Sequence, residues 1–186
     1  MSEWNGLDRF IAKIRYKIVE KYVPENGIVC DIGCGQKAEF LLMNSVRIKQ
    51  GYGFDFKTVD QIRDNIIIRN NKNILGTGLE DKSVDVVFML ALLEHLEDPD
   101  IMLAECKRII KPGGYLVLTT PTRLGKIFLE IMAFRLHIIN KDEILEHKHY
   151  YTKKEIFELF VRNGFMQYRY KKFTFGVNSM AVAKRS

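Results

Sequence analysis

A short apolar run, Ile28-Val-Cys-Asp-Ile32, passes without a break into Gly33-Cys-Gly35, and few folds accommodate that junction. The run has the length and β-rich composition of a buried strand. The two glycines let the backbone turn tightly and leave room for a ligand beside the positive end of a following helix. The rest of the chain continues a strand–helix alternation. Apolar residues Phe10, Ile11, Ile14, Ile18 and Val19 give residues 7–22 a helical period, closed by Pro24. A helix is expected over 37–48, strands over 51–56, 65–69 and 84–89, and a helix opened by Asp98-Pro99 and running to 110. Lys111-Pro-Gly-Gly114 stops that helix and feeds a strand at 115–119.

Toward the C-terminus, Thr152-Lys-Lys-Glu155 is a capping box with Tyr151 and Ile156 placed as its hydrophobic staple. Asn163-Gly164 ends the helix. Two strands follow, at 165–173 and 177–184, joined too closely for a crossover and therefore antiparallel. With no repeat and no linker, residues 1–186 read as one three-layer α/β/α domain, with a helical segment at 1–24 and a variable insert at 121–150.

The composition, 47% hydrophobic and 28% charged, is that of a soluble globular protein and excludes a disordered one. The three cysteines form no C-x-x-C pair and the first residues lack a secretion signal, so a reducing, cytoplasmic setting is expected. The net charge of +6 is unevenly spread: residues 1–120 hold 16 basic and 17 acidic side chains, residues 121–186 hold 13 and 6. The surplus of the last third suits an anionic substrate, a nucleic acid, a phospholipid headgroup or a solvated face.

Gly33-x-Gly35-x-x-Ala38 satisfies a loose dinucleotide fingerprint, and Asp55 stands 20 residues beyond Gly35, where an acid can accept from both ribose hydroxyls. A nicotinamide-dependent oxidoreductase fits the glycines alone. Asp31 argues against it: a carboxylate just before the turn repels a pyrophosphate and favours an amino or sulfonium group.

Together, Val29-Cys-Asp-Ile-Gly-Cys-Gly35, Gly53-Phe-Asp55, Ser83-Val-Asp-Val-Val-Phe88 with Leu93-Glu-His-Leu-Glu-Asp-Pro99, and Lys111-Pro-Gly-Gly-Tyr-Leu-Val-Leu118 stand in a telling order. The chain resembles the class I S-adenosylmethionine-dependent methyltransferases, in the compact ubiquinone/menaquinone-biosynthesis-like, type 11 branch. The resemblance implies a Rossmann-like, seven-stranded, mostly parallel sheet with one antiparallel strand near the C-terminus. It implies S-adenosylmethionine as cofactor and S-adenosylhomocysteine as product. Asp31 would hold the methionine amino group, Gly33, Cys34 and Gly35 would underlie the methionine and ribose, and Asp55 would take the ribose diol. Phe56, Leu90 and Ala91 would lie beside the cofactor, with Asn71 or Asn73 nearest the adenine. The third glycine of the family's first motif is replaced here by Lys37-Ala38.

For an acceptor hydroxyl a base is needed, and histidine suits the task near neutral pH. The candidates are His149, His147 and His95, with Glu94 and Tyr150 behind them. Each histidine could equally anchor a loop. No metal site is expected, since His147-x-His149 has no third ligand in view. Residues 124–139 form an amphipathic stretch, too charged to span a bilayer, that suits core packing, a dimer face or a lid. With its basic surroundings it suits best a lid over an apolar or anionic small-molecule acceptor, lipid-like ones included, and leaves peripheral membrane contact open. Methyl transfer, with oxygen as the leading acceptor, is the expected function. Nucleic-acid modification and non-catalytic binding are the alternatives; the former lacks the Asn/Asp-Pro-Pro-aromatic motif, reading Leu90-Ala-Leu-Leu93 instead.

Overall fold

The computed structural model describes residues 6–71, 76–130 and 147–186. Eight strands form one sheet: β1 (Ile28–Ile32), β2 (Gln50–Asp55), β3 (Gln61–Arg63), β4 (Ile66–Asn70), β5 (Val84–Leu90), β6 (Ile110–Pro121), β7 (Phe165–Phe173) and β8 (Asn178–Arg185). Their order is β3-β4-β2-β1-β5-β6-β8-β7. Strands β1, β2, β4, β5 and β6 are parallel, and β8 runs antiparallel to both β6 and β7. The helices are α1 (Gly6–Val19), α2 (Glu39–Met43), α3 (Pro99–Ile109), α4 (Arg123–Glu130) and α5 (Lys153–Arg162).

The expectation of seven strands is corrected to eight. The extra strand, β3, pairs antiparallel with β4 at the sheet edge. Its cause is local: Asp64, at φ 50°, makes a two-residue turn with Asn65, and this is hairpin chemistry. The other seven strands keep a parallel body with β8 as the antiparallel insertion, and the close link between β7 and β8 accounts for their pairing.

Alternation along the strands sorts side chains to two faces. Val29, Phe88 and Val117 join Tyr16 of α1 and Phe40 of α2 on one side. Cys30, Val87 and Leu116 join Leu103 of α3 and Phe160 of α5 on the other. Both faces of β1 and β5 are therefore buried, which is why these strands read as apolar runs broken only at Asp31 and Asp85.

Helix ends follow the sequence closely. The Asp98 carboxylate accepts from the Asp100 amide at 3.0 Å, with Pro99 in the first helical position. Thr152 accepts from the Glu155 amide at 3.3 Å while Glu155 accepts from the Thr152 amide at 2.6 Å. Tyr151 and Ile156 are both buried in one cluster. Helix α2 is shorter than the expected 37–48, because Ala38 takes a left-handed φ of 48° and the Asn44 side-chain Nδ2 donates to the Phe40 carbonyl at 2.8 Å. Of the expected insert helix only α4 is described; residues 131–146, like Asn73, lie outside the described residues. No described helix is long and apolar enough to cross a membrane.

From β1 the chain passes outward to β2 and β4, then returns to β5 on the other side of β1. The crevice left at such a reversal, at the C-terminal ends of the strands, is where α/β sheets seat ligands.

Candidate active site

Asp31 stands near the end of β1, opposite Gly53 of β2 and Phe88 of β5. It is 2% exposed, and its Oδ1 has no hydrogen-bond partner among the described residues. Burial, then the nearby Asp55 carboxylate, push its pKa well above the ordinary aspartate range. Such a group favours a cationic ligand, which would supply both the missing donor and the missing charge.

Gly33 and Gly35 follow at φ 78° and 72°, a region that disfavours side chains. The amides of Gly33 and Cys34 donate to the Phe54 carbonyl at 2.8 and 3.2 Å. A Cβ on Gly33 would meet Leu92 side-chain atoms at 3.1–3.2 Å, whereas one on Gly35 would meet nothing within 4 Å. The loop is thus pressed against Leu92 at one glycine and open at the other. Asp55, ending β2, accepts from the Gly35 amide at 2.9 Å and from the Lys57 amide at 2.7 Å. One carboxylate ties the tip of β1 to the tip of β2, and its oxygens retain lone pairs for further donors.

Cys34 is buried, and burial raises its thiol pKa, so it packs rather than reacts. Phe56 is half exposed just beyond Asp55. Leu90 ends β5, and Ala91 turns at φ 56° with its amide on the Thr119 carbonyl at 3.0 Å. That turn carries Leu92 over Gly33. These residues therefore converge on one edge, around a carboxylate, an open glycine and a second carboxylate. This set fits a ligand bearing an amino group and a ribose.

Past Leu92 lies a second polar group. Glu94 is 1% exposed and its Oε2 has no hydrogen-bond partner among the described residues. Its carbonyl accepts from the amides of Lys148 and His149 at 2.8 and 3.4 Å, which sets the register of residues 147–149 beside it. His147 then stacks edge-on to His95, ring centroids 4.7 Å apart, and its Nδ1 lies 2.8 Å from the Tyr150 hydroxyl. Ligand atoms of Glu94, His95 and His147 all fall within 4.8 Å of one another. The fold thus gathers a trio different from the His147-x-His149 pair, taking His147 without His149.

Burial pushes the Glu94 pKa up to about 7, against the pull of Arg15 and Thr120. Burial, then His95 and Arg15, push His147 down to about 4. His147 is thus neutral at pH 7, and Glu94 sits where a proton can be taken or given. Arg15, from α1, and Thr120, from β6, escaped the sequence reading. For Arg15 the sole signal is a cation set between Ile14 and Tyr16 on an apolar stripe.

His149 is engaged elsewhere. Its Nε2 lies 3.2 Å from Glu155 Oε1 and its ring 4.5 Å from that of Tyr151, so it braces the capping box of α5. The structure brings His95 and His147 together with Glu94 and joins His149 to the helix start.

A methyltransferase-domain family model matches residues 4–167. Among curated relatives, a ubiquinone biosynthesis O-methyltransferase of Coxiella burnetii is 27% identical over 143 residues, covering 70% of this chain and 59% of that protein. A tRNA U34 carboxymethyltransferase of Nautilia profundicola is 30% identical over 128 residues, covering 64% of this chain and 41% of that protein. The chain spans less than two thirds of the length of either. A solved S-adenosylmethionine-dependent methyltransferase from Thermotoga maritima shares the fold, with a TM-score of 0.73 at 16% identity over 96% of this chain and 90% of that one. The family model covers most of the chain, and the chain belongs to the methyltransferase-domain family, in its S-adenosylmethionine-dependent class I.

Proposed function

We propose that the chain transfers the methyl group of S-adenosylmethionine to a hydroxyl oxygen of a small or lipid-linked acceptor, releasing S-adenosylhomocysteine. The observation that carries this reading is the meeting, at one sheet edge, of an unpartnered buried carboxylate, Asp31, and the Glu94–His95–His147 group. S-adenosylmethionine supplies an electrophilic methyl on a sulfonium when bound. Asp31 holds the amino group, Asp55 the ribose hydroxyls, and Phe56, Leu90 and Ala91 exclude water beside them. Asn71, just after β4 with its amide on the Asp55 carbonyl at 3.1 Å, would face the adenine. His147, with Nδ1 held by the Tyr150 hydroxyl, would take the acceptor's proton as the methyl is transferred, and Glu94, with its carboxylate within 4.8 Å, would be the proton's final destination. Glu94, at about 7, matches the pH of the reaction and is the better terminal acceptor. In this reading His95 orients His147, and His149 serves the fold of α5.

The test incubates the protein with methyl-labelled cofactor, a panel of prenylated phenols and catechols, and bulk tRNA in parallel. Label in the phenol fraction supports the reading. Label on tRNA alone overturns it and favours the nucleic-acid alternative, for which the Nautilia relative and the basic last third of the chain speak. His147→Ala should lower kcat roughly ten-fold or more at unchanged cofactor affinity, while His149→Ala stays within about two-fold. A chelator should leave turnover unchanged, because Arg15 already provides the positive charge that faces Glu94. Loss of activity restored by a divalent ion would reassign the cluster as a metal centre.

A further inference from the structure

We propose that α4 and the turn between β7 and β8 form one docking surface for bilayers rich in anionic phospholipid. The proposal stands on surface residues and is independent of the acceptor reading above.

In the turn, Thr174, Phe175 and Gly176 have φ of 50°, 54° and 85°. Two of the three are not glycine, and both occupy a region that L-residues avoid. The outcome is a phenylalanine held wholly in solvent, at 101% relative exposure. Strained display of a large apolar group on a rim points to a use for it. The turn is locked to α4. Thr122 Oγ1 donates to the Gly176 carbonyl at 2.7 Å and the Thr122 amide to the Val177 carbonyl at 2.9 Å. Gly125 lies so close that a Cβ there would stand 2.2 Å from the Val177 oxygen.

Helix α4 adds Leu124, Ile127 and Phe128, spaced to share a face and all exposed. Leu124 Cδ2 lies 3.7 Å from where a Gly176 Cβ would be, so helix and turn present continuous apolar ground. Cations flank it. Residues 121–128 and 165–176 contain Lys126, Arg169, Lys171, Lys172 and Arg123, the last paired with Glu155 at 3.6 Å, and the acid of α4 stands at its end, Glu130. The Lys172 stem reaches to 4.0 Å of that same Gly176 position, and neither Lys171 nor Lys172 enters an ion pair among the described residues.

Apolar wedges edged by lysine and arginine are the chemistry of the bilayer interface, where hydrocarbon meets anionic headgroups. A second copy of the chain suits this face poorly, because two such cationic rims repel. RNA would use the cations and the rings of Phe128 and Phe175, but it leaves the aliphatic Leu124 and Ile127 between them unanswered, and hydrocarbon covers all four.

The experiment is co-flotation of the full chain with vesicles of phosphatidylcholine alone or mixed with phosphatidylglycerol, at low and high salt. Binding is expected to the mixed vesicles only, weakened by salt. Phe175→Ser should reduce partitioning about ten-fold, as removal of one inserted aromatic implies. Lys172→Gln should reduce it about five-fold, and Lys171→Gln, on the opposite face of β7, should reduce it less. These side chains are exposed, so the thermal midpoint should stay unchanged and exclude misfolding as the cause. Three results would overturn the proposal: no flotation with phosphatidylglycerol, flotation indifferent to Phe175→Ser, or a concentration-dependent dimer that protects Phe175. Binding of tRNA without vesicle binding would overturn it also.

Discussion

Glu94→Gln changes one oxygen for an amide in the most enclosed part of the site, and its effect on stability should depend on pH in a defined way. An unfolded glutamate ionises near 4.5, whereas Glu94 in the folded chain holds its proton up to about 7. Between those values ionisation favours the unfolded state. The contribution of Glu94 is therefore fully present below about 4.5, declines as pH rises, and is lost above about 7. At about 1.4 kcal/mol per decade, the total loss is about 3 kcal/mol. Because Glu94 is 1% exposed, solvent screening takes little from that figure. The glutamine variant has no proton to lose there, so it lacks this decline. Urea denaturation of both proteins at a series of pH values between 4 and 8 gives the difference directly, with other titrating groups cancelling in the comparison. The glutamine variant should gain on the parent by about 2–3 kcal/mol across that range, whatever its offset at pH 4. A difference that stays flat within about 0.5 kcal/mol would refute both the protonated state of Glu94 and the proton-transfer role built on it.

Asp31→Asn should weaken S-adenosylmethionine binding at least about ten-fold by calorimetry, since the charge that answers the amino group is gone. Asp55→Ala should weaken it likewise and also cost about 1–3 kcal/mol of stability, because the amides of Gly35 and Lys57 lose their acceptor. Gly33→Ala forces a side chain into φ 78° and against Leu92, and should cost about 1–2 kcal/mol by thermal melting and cofactor affinity with it. Cofactor binding at parental strength in all three would remove the site from the tips of β1 and β2.

Much of this protein was legible along the chain. The strand-to-glycine junction at 28–35, the Asp98-Pro99 helix start, the Thr152–Glu155 capping box and the Asn163-Gly164 stop are local devices, each complete within a few residues. The parallel body of the sheet followed from the strand–helix alternation, and the β7–β8 pairing from the shortness of their link, whereas the strand order is seen only in the structure. The β3 hairpin is equally local, turning at Asp64-Asn65, but three residues of β3 carry too little alternation to mark a strand. The polar cluster was different in kind. Arg15, Glu94, Thr120 and His147 come from α1, the turn after β5, the end of β6 and the segment before α5, and nothing near any of them in sequence announces the others. Which histidine joins the site was decided by two main-chain hydrogen bonds to the Glu94 carbonyl, which turn His147 inward and leave His149 on Glu155. Turns, caps and periodicity are short-range consequences of backbone geometry, so a sequence determines them alone. Shifted protonation, an unpartnered carboxylate and a contiguous apolar rim arise from burial and from charges meeting across the sheet, and only the tertiary structure sets those.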